Sequence, residues 1–131
     1  GDLASRETLD FLSANFSGFF WHVLGNMDRD FLSEKIDREI HQGNSVIFPQ
    51  IGELELKGRR VAFTHFPKVA QELFQSKQYF AVFYGHTHQP WLVRQENCYL
   101  INPGNAAGER YPATFAVWEV EKDLFRLLPV D

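Results

Sequence analysis

Apolar positions along this chain switch between two periods. Over residues 5–16, Leu9, Leu12 and Phe16 recur at three- and four-residue spacing, so they share one helical face, and Ser5 is placed to cap it. Phe19-Phe20-Trp21-His22-Val23-Leu24 then reads as a strand, which makes the opening look like the second half of a βαβ unit. A charged helical pattern follows over 29–40, with Phe31, Leu32, Ile36 and Ile40 as its apolar positions, and Gly43 to Pro49 reads as a loop or short strand. Glu53-Leu54-Glu55-Leu56 alternates as a half-buried strand should, and Lys57-Gly58 turns it into a strand at 60–64. Pro67 suits the first turn of a helix running to about Ser76, with Val69, Ala70, Leu73 and Phe74 inward. Beyond the strand at 80–84, segments 91–95, 98–101, 114–120 and 124–128 all read as β. The pattern predicts one domain, α/β early and strand-dominated late.

Composition narrows this picture. The 131 residues are 44% hydrophobic, enough for one ordinary core, and thirteen phenylalanines should dominate it. A formal charge of -4 argues against extended nucleic-acid binding, which favours basic surfaces. No apolar run approaches the roughly 18–20 residues of a membrane span. Cys98 is the sole cysteine, so no internal disulfide forms; it reads as a small core residue, and a reducing, cytoplasmic setting is expected.

The chemistry gathers where the strands end. The run 80–84 leads into Gly85-His86-Thr87-His88, two imidazoles one residue apart. The strand at 19–24 ends in Gly25-Asn26-Met27-Asp28, that at 60–64 in His65-Phe66-Pro67, and that at 98–101 in Asn102-Pro103-Gly104-Asn105. Ligands of open α/β sheets collect outside the carboxyl ends of strands, and neutral imidazole suits divalent metals. Repeated placement of nitrogen and oxygen donors at such ends predicts one site assembled from distant segments.

Gly1-Asp2, Gly25-Asn26-x-Asp28, Thr64-His65, Gly85-His86-Thr87-His88 and Asn102-Pro103-Gly104, in that order and spacing, resemble the calcineurin-like metallophosphoesterases, and within them the small YfcE-type phosphodiesterases. The resemblance covers essentially the whole chain. It implies an αββα sandwich, two packed β-sheets flanked by helices, and two divalent ions bridged by a carboxylate and a hydroxide that attacks a phosphodiester in line. Carried over, Asp2 is the bridging carboxylate, Asn26, His65 and His86 complete one ion's ligands, and His88 binds the other. The ions expected are manganese, nickel, iron, zinc or magnesium. Two dications about 3.5–4 Å apart make hydroxide available near neutral pH and clamp a phosphoryl oxygen.

Three departures shape the expectation. The family's Asp-x-His motif, normally one βα unit upstream, does not occur here, so residues 1–131 are expected to be a single metallophosphoesterase-like domain that is N-terminally incomplete, to bind either the two ions or only one of them, and to self-associate through uncovered backbone edges. Met27 stands where many members carry a histidine that protonates the leaving group, so activated aryl diesters are the favoured substrates. Phe66 replaces a usual glycine and either narrows the substrate cleft or simply packs.

Among the remaining candidates, Asp28 reads as a helix N-cap, Asn102 to Asn105 as a turn supporting the histidine loop, and Arg110 as a loop cation suited to a substrate phosphate. His22 and His41 are left outside the site. The partners expected are a phosphodiester small molecule or nucleotide and a second copy of the chain. The alternatives are a non-catalytic scaffold, since the retromer subunit of this fold also resembles the chain, and a degenerate paralogue holding one structural metal.

Overall fold

The computed structural model describes residues 1–28 and 36–131. They form two compact units, Gly1–Gly52 and Glu53–Asp131, taken in turn.

In the first unit, helix α1 (Arg6–Asn15) starts where the sequence placed it: the Ser5 hydroxyl accepts from the Thr8 N–H at 3.1 Å. Leu9 is fully buried against Leu24 and Ile47, with Leu3, Phe20 and Ile36 packed around them. Burial of a leucine like this one contributes about 2 kcal/mol. Phe16 departs from the expected apolar face. It lies beyond the last helical residue, with extended backbone, and is 52% exposed.

Strand β1 (Phe20–Val23) pairs in parallel with β3 (Ser45–Phe48), and β3 pairs antiparallel with β2 (Ile40–Gln42), giving the order β1-β3-β2. The Asn44 amide donates to the carbonyls of Phe16 and Gly18 at 2.8 and 2.7 Å, fastening the α1–β1 connection to this sheet. The helix expected over 29–40 falls mostly on residues 29–35, outside the described residues. Its last positions are not helical: Ile40 opens β2, because Gly43, with a left-handed φ of 60°, turns the chain back into β3.

The second unit is built on a five-stranded sheet in the order β4-β5-β6-β8-β7. Its strands are β4 (Ile51–Leu56), β5 (Arg59–Thr64), β6 (Ala81–Phe83), β7 (Trp91–Gln95) and β8 (Cys98–Asn102). Lys57 and Gly58 both take left-handed φ, as a two-residue hairpin turn requires. Strands β5, β6 and β8 run parallel, and β7 is antiparallel to β8. Alternation then sorts the side chains. Ala62, Val82 and Leu100 face helix α2 (Pro67–Gln75), whose Ala70 and Phe74 are buried on them.

The opposite row, Val61, Ala81 and Ile101, faces a hairpin of β9 (Thr114–Glu119) and β10 (Leu124–Pro129). There Phe125 stacks on Trp118 at 5.1 Å and meets Tyr99 at 4.6 Å, forming an aromatic cluster. Phenylalanine does not dominate the core as composition implied, since Phe11, Phe16, Phe19 and Phe115 are exposed. The unit is thus helix, sheet and second sheet in layers, a mixed α/β arrangement. None of its described helices, nor α1, is long and apolar enough to cross a membrane.

Cys98 is buried on the helix side of the sheet, and burial pushes its thiol up to about 11. The folded state keeps a proton that the unfolded thiol begins to lose near pH 9. Stability should therefore be constant below that pH and fall as pH rises from about 9 toward 11. Denaturant melts across this range should show the decline in wild type and less of it in Cys98→Ala.

Candidate metal centre

Parallel strands β5, β6 and β8 are neighbours, so the segments leaving their carboxyl ends emerge together. His65 follows β5, Gly85-His86-Thr87-His88 follows β6, and Pro103-Gly104-Asn105 follows β8. The Gly85 N–H donates to the His65 carbonyl at 3.2 Å, tying the first two segments. His65 is buried and His86 exposed. His65 Nε2 lies 3.0 Å from His86 Nδ1, with the rings nearly perpendicular at 82°.

Two donor nitrogens at that separation fit adjacent ligands of one ion. Bonds of about 2.1 Å meeting near a right angle put the nitrogens about 3.0 Å apart. Phe66 meets the His65 ring edge-on at 5.0 Å and lies 5.7 Å from His86, so it packs on both imidazoles.

The left-handed backbone falls on the histidines rather than on Gly85: φ is 70° at His86 and 62° at His88. Such angles cost about 1–2 kcal/mol at a residue with a Cβ and persist only where the surroundings hold them. Fully buried Asn102 does part of the holding. Its Nδ2 donates to Thr87 Oγ1 at 2.8 Å, and its Oδ1 accepts from the Gly104 N–H at 3.0 Å. His88 is held apart from the imidazole pair by another contact. Asn105 Oδ1 accepts from the Ala107 N–H at 2.7 Å, which turns Nδ2 toward His88 Nδ1 at 2.9 Å. Arg110 is an exposed loop residue with φ 67°.

In the first unit, the Asp2 carboxylate accepts from the Met27 N–H at 2.8 Å. Gly25 makes this approach possible, since a Cβ there would stand 2.0 Å from Asp2 Oδ1. Asn26 and Met27 are exposed in the turn after β1. Asp28 is fully buried and accepts from three backbone N–H groups, those of Asp2, Ala4 and Gly25, and lies 2.9 Å from His22 Nε2. Burial opposes its ionisation, but the hydrogen bonds from His22, Gly25 and Ala4 outweigh it and hold the carboxyl well below the ordinary carboxylate range. Its described contacts therefore run back to the start of the chain and to β1, a role that the N-cap expectation did not anticipate. His22, left outside the site, is buried with Asp28 as a specific partner. His41 is a surface residue paired with Glu39.

The five ligands expected from sequence thus divide, Asp2 and Asn26 in the first unit and His65, His86 and His88 in the second.

A family model described as the calcineurin-like phosphoesterase superfamily domain matches residues 1–123. The chain belongs to that superfamily. Its fold is similar to that of an archaeal phosphodiesterase, with a TM-score of 0.79 at 22% identity over 99% of this chain and 79% of the other. It is also similar to Vps29 of Cryptosporidium parvum, at 0.66 and 15% over 99% and 77%. Vps29 of Entamoeba histolytica, solved with zinc, gives 0.63 and 17% over 100% and 78%. No curated protein is similar enough in sequence to count as a match. The mixed α/β architecture is that of the metallophosphoesterases. Superfamily membership implies divalent metals, and the nitrogen and carboxylate donors present are of the right chemistry to hold them.

Proposed function

We propose that this chain is a metal-dependent phosphodiesterase. Asp2, Asn26, His65 and His86 would hold one divalent ion, and His88 with a share of Asp2 would hold a second, manganese and nickel being the first ions to try. The observation that carries this reading is the His65–His86 pair, two imidazole nitrogens 3.0 Å apart at the carboxyl ends of adjacent parallel strands. When bound, such ions lower the pKa of a coordinated water and neutralise charge on a phosphoryl group.

The chain's own residues set the rest. Asn26 offers an oxygen without adding negative charge, which keeps the centre attractive to an anionic diester. Exposed Met27 supplies no proton to a departing oxygen, so substrates whose leaving groups need none are favoured. Phe66 forms one wall beside the imidazoles, and Arg110 offers a cation suited to phosphate. Small phosphodiesters or nucleotides are the substrate class.

The test is to load the metal-free chain with manganese or nickel, count ions per chain, and compare an aryl with an alkyl phosphodiester. Faster turnover of the aryl ester is expected, and equal rates contradict the role given to Met27. The likeness to Vps29 supports a second reading, a non-catalytic scaffold. A folded chain that takes up no ion and hydrolyses no ester decides for it.

The Asn105 contact leads to a further expected outcome. With its Nδ2 as donor, His88 Nδ1 accepts and the neutral ring carries its proton on Nε2, the nitrogen left for an ion. An aspartate at 105 keeps the acceptor for the Ala107 N–H and offers a second oxygen to Nδ1–H, freeing Nε2. Asn105→Asp should tighten the second ion by about tenfold, the low end of what such outer partners contribute. Calorimetric titration with manganese reads the change directly.

A further inference from the structure

Asp28 is the one fully buried carboxylate among the described residues, and no step above uses it. The segment it serves does not hold itself. Asp2 and Ala4 both carry a left-handed φ of 61°, a conformation that costs about 1–2 kcal/mol at a residue such as Ala4. Asp28 Oδ2 accepts from the Asp2 N–H at 2.7 Å and the Gly25 N–H at 2.9 Å, and Oδ1 accepts from the Ala4 N–H at 3.1 Å. His22 Nε2 adds a fourth contact at 2.9 Å.

The bracing is reciprocal. Asp28 grips the backbone of Asp2, while the Asp2 carboxylate reaches back to the Met27 N–H at 2.8 Å. The geometry points to Asp28 as a positioning residue that fixes the Asp2 carboxylate for metal binding, with His22 orienting Asp28 in turn. The inference rests on the reading of Asp2 as a metal ligand. With no exposed surface, Asp28 touches no substrate and acts only through Asp2.

A carboxylate is required because four donors converge on it. Its two oxygens accept from all of them. An asparagine of the same shape has one acceptor oxygen and turns its own N–H groups toward donors, so Asp28→Asn should release segment 2–4 without changing volume.

The experiment titrates the metal-free full chain with Mn2+ and follows the free ion by electron paramagnetic resonance, in wild type, Asp2→Asn, Asp28→Asn and His22→Leu. Circular dichroism and thermal melts in chelator establish folding. Asp28→Asn is expected to weaken Mn2+ by about 10–100-fold with the folded signal retained, the range typical of residues that orient metal ligands. At saturating Mn2+, kcat on an aryl phosphodiester should stay depressed while KM is unchanged, a split that loss of stability alone does not produce.

Folded Asp28→Asn with wild-type affinity overturns the inference. If that variant does not fold, His22→Leu decides, because it removes one donor and leaves the carboxylate. A several-fold weaker Mn2+ affinity supports the role, and an unchanged one overturns it. Wild type that takes up no Mn2+ overturns both this inference and the function it rests on. Uptake abolished by Asp2→Asn but untouched by Asp28→Asn overturns this inference alone.

Discussion

Replacing Gly25 with alanine should abolish tight metal binding at the Asp2 site and lower phosphodiester turnover by at least about 100-fold. Gly25 is buried in the turn after β1, and its φ is not left-handed, so the backbone itself would accept alanine. Space would not. An added Cβ stands 2.0 Å from Asp2 Oδ1, 2.6 Å from its Cγ and 2.6 Å from its backbone nitrogen. The last of these contacts decides the outcome, since a side chain can rotate away but a backbone nitrogen moves only with its segment. That segment is pinned by the bond from the Asp2 N–H to Asp28, so relief means breaking the bond or shifting the Gly25 turn. Overpacking of this kind costs about 1–3 kcal/mol. A ligand displaced by about 1 Å costs on the order of 100-fold in rate. Metal analysis and aryl diester hydrolysis check the prediction. A folded Gly25→Ala chain with wild-type metal content would show that Asp2 is not a ligand or not confined here.

Much of the fold was legible because local chemistry and burial agreed. Ser5 precedes a periodic run, Pro67 opens one, and Lys57-Gly58 separates two alternating strands; in each case the boundary residue and the apolar pattern point to the same element. Strand β2 was not legible, because all three of its residues are exposed and Ile40 continues a spacing of four from Ile36. Periodicity cannot separate such a residue from a helical one when only pairing with β3 makes it a strand.

The site divides in the same way. His65, His86 and His88 announce themselves as ligand types at strand ends. What holds them is legible in part, since Asn102 to Asn105 reads as a turn supporting the histidine loop. Asp28, which holds the start of the chain instead, reads only as a helix N-cap. Their roles depend on partners 15 to 26 positions away. The Gly25-Asn26-x-Asp28 spacing was the available signal for Asp28. Reading it also required knowing that Gly25 faces Asp2.

His86→Asn should lower turnover by about 1,000-fold while leaving the fold nearly as stable as wild type. Asparagine is the informative substitution because it tolerates the left-handed φ of 70° at this position, so backbone strain does not confuse the result. It removes the imidazole whose Nδ1 faces His65 Nε2 at 3.0 Å. Loss of an ion that stabilises transition-state charge costs several kcal/mol, and about 4 kcal/mol corresponds to three orders of magnitude. His86 is exposed, and its described contacts include the 3.0 Å approach to His65 and packing on Phe66, so the stability change should be about 1 kcal/mol.

That pairing of a large catalytic loss with a small stability loss distinguishes loss of an imidazole from loss of the fold. The Gly25 variant would lose turnover by straining the fold, whereas the His86 variant removes an imidazole from a frame left intact. Metal content, melting temperature and turnover measured on one preparation test it. Turnover that survives His86→Asn, at unchanged metal content, would remove the imidazole pair from the reaction altogether.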